Sequence, residues 1–353
     1  MNQINRIDQI YCPTKVFFGP GSIDNLKEVK KTYKNIFILC DKAIPRETTG
    51  KIKDLLADSV ESFVTYDLDS EPTATGLNRF LRKKTGLTDC VLGIGGGSIL
   101  DSAKVLAIRE GNIEDFNEDS EALPIITIPT TAGTGAELTK SAIVKSGDIK
   151  RGIRSEKLFP ALAIVDPALC DSLPLELTKY TSFDALTHAV ETYFSKRSNP
   201  LTRAISQLSL SIVLQYLPIA MKEFKENGKP TLQTRKELSY AAMLQGFTLS
   251  NASTCLPHRI QYALSTVSDA GHSAGLACVY RAWLNMAKPK IGNCDYKQII
   301  KFMDTIGIYI TLSDIGINKE NIEKIVRRLD GSLDADPSFK DLSQVKKILE
   351  ESL

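Results

Sequence analysis

"DCVLGIGGGSILDSAKVLAI", residues 89 to 108, passes from an apolar run of strand length through a glycine turn into a helical pattern, and its reading decides the fold. An unbroken apolar run suits a strand buried on both faces of a sheet. Gly93, Gly95, Gly96 and Gly97 let the backbone turn sharply and approach a ligand closely. The free N–H groups of a helix opening at Ser98 would point at an anion, and a pyrophosphate fits. The pattern is not G-x-G-x-x-G, because Ser98 stands at the last glycine position. Ser98 and Asp101 also read as an S-x-x-D helix cap, which alone would make this only a well-started helix.

Outward from this segment, similar runs recur up to about residue 175: KVFFG, NIFILC, FVTYDL, IITIP and ALAIVD. Polar stretches of helical length or turn signals separate them. The alternation predicts a mostly parallel sheet with covering helices, an α/β Rossmann-like nucleotide-binding domain over residues 1–175. Beyond Pro167 and Pro174 strand-like runs nearly vanish, and patterns of period near 3.6 take over, as in LTRAISQLSLSIVLQYLPIAMKEF. An all-helical domain is expected over residues 176–353.

Composition narrows the function. Lys and Arg number 44 against 42 Asp and Glu, a formal charge of +2 with no long single-sign block, so the footprint of a nucleic-acid binder is missing. A small-molecule partner is expected instead. Seven scattered cysteines without a Cys-x-x-Cys pair read as reduced thiols and hence a cytoplasmic location. The N-terminus shows no signal-peptide pattern, and no window approaches the roughly 20 apolar residues that cross a bilayer, so a soluble chain with no membrane partner is expected.

Three further segments carry chemistry. In TIPTTAGTGAE, residues 127–137, Thr130, Thr131 and Thr134 line a turn after a strand-like run, where hydroxyls and amides suit phosphate or ribose oxygens; turn threonines also commonly bond only their own backbone. Asp41 ends the NIFILC run, where an acid can accept hydrogen bonds from a ribose diol and repel a 2′-phosphate. A solvated turn aspartate is the plainer reading. In FDALTHAVETY, residues 183–193, Asp184 and His188 sit four apart on one helix face. The chain has only two other histidines, His258 and His272, both in apolar surroundings where an unpaired imidazole is costly. A continuous helix would hold them roughly 21 Å apart, but the turn signal VSDAG between them can fold the chain back. One carboxylate and three imidazoles then suit Fe(II), Zn(II) or a related divalent ion with an open position.

With these residues in hand, the chain resembles the iron-containing (group III, metal-dependent) alcohol dehydrogenases of the wider dehydroquinate synthase-like superfamily. The likeness runs from VFFGPGSIDNL through CDKAI, GIGGGSILDSAK, IPTTAGTGAE and FDALTHAVETY to LSDIGINKENI. It implies a dehydroquinate synthase-like fold, a homodimer, and NAD(H)-dependent interconversion of an alcohol and its aldehyde or ketone. It further implies pyrophosphate on Gly95, Gly96, Gly97 and Ser98, with Asp101, Thr130, Thr131 and Thr134 in the same cleft. Asp41 matches the acid that favours NAD over NADP. The metal falls to Asp184, His188, His258 and His272. Tyr262 stands where the family often carries a second histidine, which puts the proton route in doubt. Lys150, Asn251, Gln261 and Tyr262 are candidate donors to cofactor or substrate. Arg259, one residue past a ligand, is a candidate for a carboxylate, phosphate or phosphonate on the substrate, or else faces solvent. A superfamily cyclase or sugar-phosphate enzyme would want extra cations near the metal, for which Lys150, Arg151, Arg154 and Arg259 are available. A nucleotide-binding sensor with an idle metal site is the remaining alternative.

Overall fold

The computed structural model describes residues 9–66, 72–81, 84–108, 116, 120–146 and 149–353. In the N-terminal half the strands are β1 (Lys15–Phe18), β2 (Ile36–Asp41), β3 (Val60–Tyr66), β4 (Cys90–Gly95), β5 (Ile125–Pro129), β6 (Ser141–Ser146), β7 (Ile149–Arg154) and β8 (Leu162–Val165). Six of them form one parallel sheet in the order β1-β8-β5-β4-β2-β3. These six are the six apolar runs read from the sequence. β6 and β7 pair antiparallel as a separate hairpin that the sequence reading passed over, because polar and charged residues break up its apolar positions.

Alternate residues of the inner strands enter opposite cores, as the two-residue period of a strand requires. Phe37, Leu39 and Val91 face α3 (Ala74–Leu81) and α4 (Gly97–Ala107), whereas Ile36, Ile38, Leu92 and Ile94 pack with α1 (Leu26–Thr32) and α2 (Arg46–Leu56). Burial on both faces explains why the runs are continuously apolar rather than alternating. The chain steps outward from β2 to β3, then returns to lay β4 on the other side of β2. That reversal opens a crevice beyond the carboxyl ends of β2 and β4, where ligands of open α/β sheets bind.

The second half is built from α5 (Leu175–Phe194), α6 (Pro200–Asn227), α7 (Leu232–Asn251), α8 (Leu256–Leu264), α9 (His272–Ala287), α10 (Tyr296–Thr305), α11 (Lys319–Arg327) and α12 (Leu342–Glu351) around a single core. Two features amend the expectations. A short hairpin, β9 (Lys290–Ile291) with β10 (Cys294–Asp295), interrupts the all-helical pattern. And α6 is long and apolar enough, by length and composition, to cross a bilayer, against the expectation that no window came near. It packs between α5 and α7 and sends Leu210, Val213 and Leu217 into the core of the helical half.

The halves meet where the TIPTTAGTGAE loop lies against α7. Gly135, at φ +63°, and Gly246 approach backbone to backbone, so a Cβ on either would collide with main-chain atoms of the other segment. Ser250 strengthens the junction: its hydroxyl donates to the Leu138 carbonyl at 3.1 Å, and its own carbonyl accepts from Arg154 Nη2 at 3.2 Å.

Candidate active site

One cavity of about 350 Å³ between the halves is lined by both the glycine turn, at Gly97 and Ser98, and the histidine-bearing helices, at Asp184, His188 and His272. Its two ends are built differently.

At the sheet end, α4 opens with Gly96 as N-cap and no side-chain cap, which leaves its first amides facing the cavity. The alternative reading, an S-x-x-D cap by Ser98 and Asp101, is not what forms, since Ser98 lies inside α4. Asp101 instead accepts from the Ile143 amide at 2.9 Å and from Lys104 Nζ at 3.1 Å, tying α4 to β6, although it also borders the cavity. A Cβ on Gly97 would lie 2.7 Å from the Thr134 side chain, so the close approach of the two loops requires glycine there. Of the three threonines, Thr134 lines the cavity, Thr131 packs toward Gly96, and Thr130 is buried with its amide bonded to the Gly95 carbonyl at 3.0 Å. Asp41 follows Cys40, which pairs with Ile94, so it stands beside the glycine turn at the switch point. Its Oδ1 accepts from the Ala43 amide at 2.9 Å, a turn contact, and it does not border the cavity.

At the helical end, Asp184 and His188 lie one turn apart on α5, His258 is on α8, and His272 is the first residue of α9. The break after Leu264 folds the chain back and brings the last two imidazoles together. All three Nε2 atoms converge on one oxygen: His272, His258 and His188 lie 3.5, 3.7 and 3.8 Å from Asp184 Oδ1. These spacings are long for hydrogen bonds. Two ligands each about 2.1 Å from a tetrahedral ion sit roughly 3.4 Å apart, close to what is seen. Donor atoms of Asp184, His188 and His258 all fall within 4.8 Å of one another. Both carboxylate oxygens of Asp184 and Nε2 of His258 are buried without a hydrogen-bond partner, a costly state that a cation relieves. The residues thus fit a divalent metal.

Electrostatics agree with that fit at Asp184 and His188, whereas His258 keeps a proton that an ion would have to displace. Burial favours the neutral form of Asp184, yet the surrounding imidazoles hold its carboxyl well below the usual range. Burial pushes His188 down to about 3 against the pull of Asp184, the neutral state a metal ligand needs. His258 is carried up to about 9, because Glu191 and Asp184 together outweigh its burial.

Glu191 is the functional residue the sequence reading missed. Fully buried on α5, it meets His258 Nδ1 at 2.8 Å through Oε1 and accepts the Cys255 amide at 2.8 Å through Oε2. A carboxylate behind a ligating imidazole fixes its tautomer and orientation. Glu191 follows Asp184 by seven positions and His188 by three, so the helical period alone could have found it. Gln261, taken as a substrate donor, instead meets His272 Nδ1 at 2.6 Å through Oε1. Asn251, taken likewise, is turned away and accepts the Tyr11 amide at 2.7 Å.

Tyr262 borders the cavity, its ring stacked near His272 at 6.1 Å, with Lys150 Nζ 5.1 Å and Arg259 Cζ 5.6 Å from its centroid. Burial pushes its phenol up to about 12, so it stays protonated near neutral pH. Lys150 therefore sits by Tyr262 at the metal end. Arg259 faces the cavity rather than bulk solvent, and Arg154 and Arg328 join it there. The Arg151 side chain lies outside the described residues.

Residues 13–167 match the family described as iron-containing alcohol dehydrogenase, and residues 178–294 match that family's C-terminal domain. Among curated relatives, the 1-propanol dehydrogenase PduQ of Citrobacter freundii is 33% identical over 71% of this chain and 66% of its own length. The chain thus spans just under two thirds of that relative. Alcohol dehydrogenase 4 of Saccharomyces cerevisiae is 30% identical over 91% of each protein. A crystal structure of an iron-containing alcohol dehydrogenase superposes with a TM-score of 0.87 at 27% identity, covering 99% of both chains.

Proposed function

The chain is an enzyme of the iron-containing alcohol dehydrogenase family, and from that premise we propose that it moves hydride between NAD(H) and a small alcohol or aldehyde bearing a polar or anionic group. The observation that carries the proposal is the convergence of three imidazoles on Asp184 at the end of a cavity that begins at the glycine turn. A divalent ion, Fe(II) or Zn(II), held by Asp184, His188, His258 and His272 would supply Lewis-acid polarisation of a substrate oxygen, and the nicotinamide would supply or accept hydride.

The chain's own part is positioning. The uncapped start of α4 and the Thr134 loop would bind the dinucleotide phosphates, and Asp41 at the switch point would favour a free ribose diol, hence NAD over NADP. Glu191 and Gln261 hold the imidazoles of His258 and His272 in register. The half-buried, protonated Tyr262 stands beside His272 on the cavity wall. A homodimer, expected of the family, is checked by light scattering.

The test follows NADH absorbance with metal-restored protein and a panel of aldehydes. Turnover that is lost on chelation, returns with Fe(II) or Zn(II), and prefers NADH to NADPH supports the proposal. Cations at the metal end, Lys150, Arg154 and Arg259, favour one second reading, a superfamily cyclase or sugar-phosphate enzyme. Conversion of such a substrate without net NADH turnover would establish it.

A further inference from the structure

Beside the metal ligands, one wall of the cavity is cationic. Arg154 on β7 and Arg259 on α8 face it, with Lys150 next to them. Arg259 Nη2 donates to Thr254 Oγ1 at 3.0 Å, while its Nε is buried without a partner. Arg154 Nη2 donates to the Ser250 carbonyl at 3.2 Å. Among the described residues neither guanidinium meets a carboxylate. Asp330, which also borders the cavity, turns its Oδ1 to the Gly331 amide at 2.7 Å. Burial, and next the charge of Arg259, pull the Arg154 guanidinium below its ordinary range, so the two cations lie close enough to repel. Arg154 is exposed and Arg259 half-buried, so the two like charges meet at the solvent-facing side of the cavity wall, where an anion between them would relieve their repulsion.

We propose that this wall is a specificity subsite for a tetrahedral oxyanion, a phosphonate, phosphate or sulfonate, carried at the far end of a short aldehyde or alcohol. The inference deepens the hydride-transfer reading and rests on it. Donors come from two elements, β7 and α8, and the Ser253 and Thr254 hydroxyls that border the same cavity accept from Arg259 Nη2 and steady its guanidinium. That spread suits three terminal oxygens, whereas a planar carboxylate is satisfied by one guanidinium fork. The substrate is short because a single ring, Tyr262, separates the cations from His272: Arg259 Cζ lies 5.6 Å from its centroid and the His272 ring 6.1 Å.

The experiment measures NADH oxidation by the metal-loaded enzyme with acetaldehyde and with two-carbon aldehydes carrying phosphonate, sulfonate or carboxylate. We expect kcat/KM to favour the phosphonate or sulfonate over acetaldehyde by about 100-fold, the scale that buried polar recognition supplies. The carboxylate should fall between. Arg259→Ala should lose at least about tenfold more on the tetrahedral anions than on acetaldehyde, and Arg259→Lys should recover only part of it. Methylphosphonate should inhibit competitively against acetaldehyde in the unaltered enzyme, a reading that stands even if the variant does not fold. Equal kcat/KM for charged and neutral aldehydes without inhibition by methylphosphonate would overturn the subsite while leaving the dehydrogenase intact. Preference for the carboxylate would overturn the tetrahedral assignment. If no aldehyde oxidises NADH, the hydride-transfer reading fails, and the subsite is judged by whether methylphosphonate raises the melting temperature of wild type but not of Arg259→Ala.

Discussion

Glu191→Gln tests the metal site through a residue that should not touch the metal. In the wild type the two oxygens of Glu191 serve different donors, Oε1 the ring of His258 and Oε2 the amide of Cys255, each at 2.8 Å. A glutamine has one acceptor for these two donors. With its oxygen on the Cys255 amide, its NH2 can bond Nδ1 of His258 only if the ring proton moves to Nε2, the nitrogen turned to the metal; with Nε2 on a metal, a buried N–H faces another donor, at a cost of about 1–3 kcal/mol. Loss of the charge also makes the imidazole a poorer ligand. Replacing a partner of this kind lowers metal affinity by about 10- to 100-fold, which is roughly 1.4–2.7 kcal/mol. The assay titrates metal-free protein with Zn(II) against a chromophoric chelator, and melting curves of the metal-free forms measure the folding cost separately. A variant that binds Zn(II) within about twofold of wild type would show that packing alone orients His258, and the account of Glu191 would be wrong.

Three further outcomes follow from the same geometry. Asp184→Asn should abolish stabilisation by metal: at a free ion concentration of 100 Kd the wild type should gain about 2.7 kcal/mol in thermal unfolding and the variant almost none. Gly97→Ala puts a methyl group 2.7 Å from the Thr134 side chain, so NADH affinity by fluorescence titration should fall by about tenfold or more, with Zn(II) affinity unchanged. Burial raises the carboxyl of Glu137 to about 7, so the folded state holds a proton that the unfolded chain releases near 4.5. Stability is then fully present below about pH 4.5 and falls as pH rises through 7, by about 3 kcal/mol in all. Glu137→Gln should flatten that slope in urea titrations at pH 5 and pH 8; an unchanged slope would refute the assignment.

What was legible in the sequence shares a physical property: it was encoded locally or by scarcity. The inner strands β2, β4, β5 and β8 were readable because burial on both faces makes each a nearly continuous apolar run, the edge strands β1 and β3 through their β-branched and aromatic residues, and the β4–α4 turn because glycine permits it. The clustering of Asp184 with the histidines was readable because three histidines are few and each needed a partner. Glu191 and Gln261 lay within reach of the same argument, at helical spacing from Asp184 and His258, but glutamate and glutamine are common on helices, so neither stood out. The cationic wall was harder. Arg154 belongs to a hairpin whose polar face hides its strand pattern, and Arg328 follows α11, more than sixty residues after Arg259. Only the packing of α11 against α8 and of β7 against α8 brings such residues to one cavity. Lys150, Arg154 and Arg259 were named from the sequence as available cations, but their meeting at one wall depends on packing between elements that no local spacing encodes. The metal cluster stands between these cases, since Asp184 and His188 share α5 while His258 and His272 arrive only through the chain reversal after Leu264.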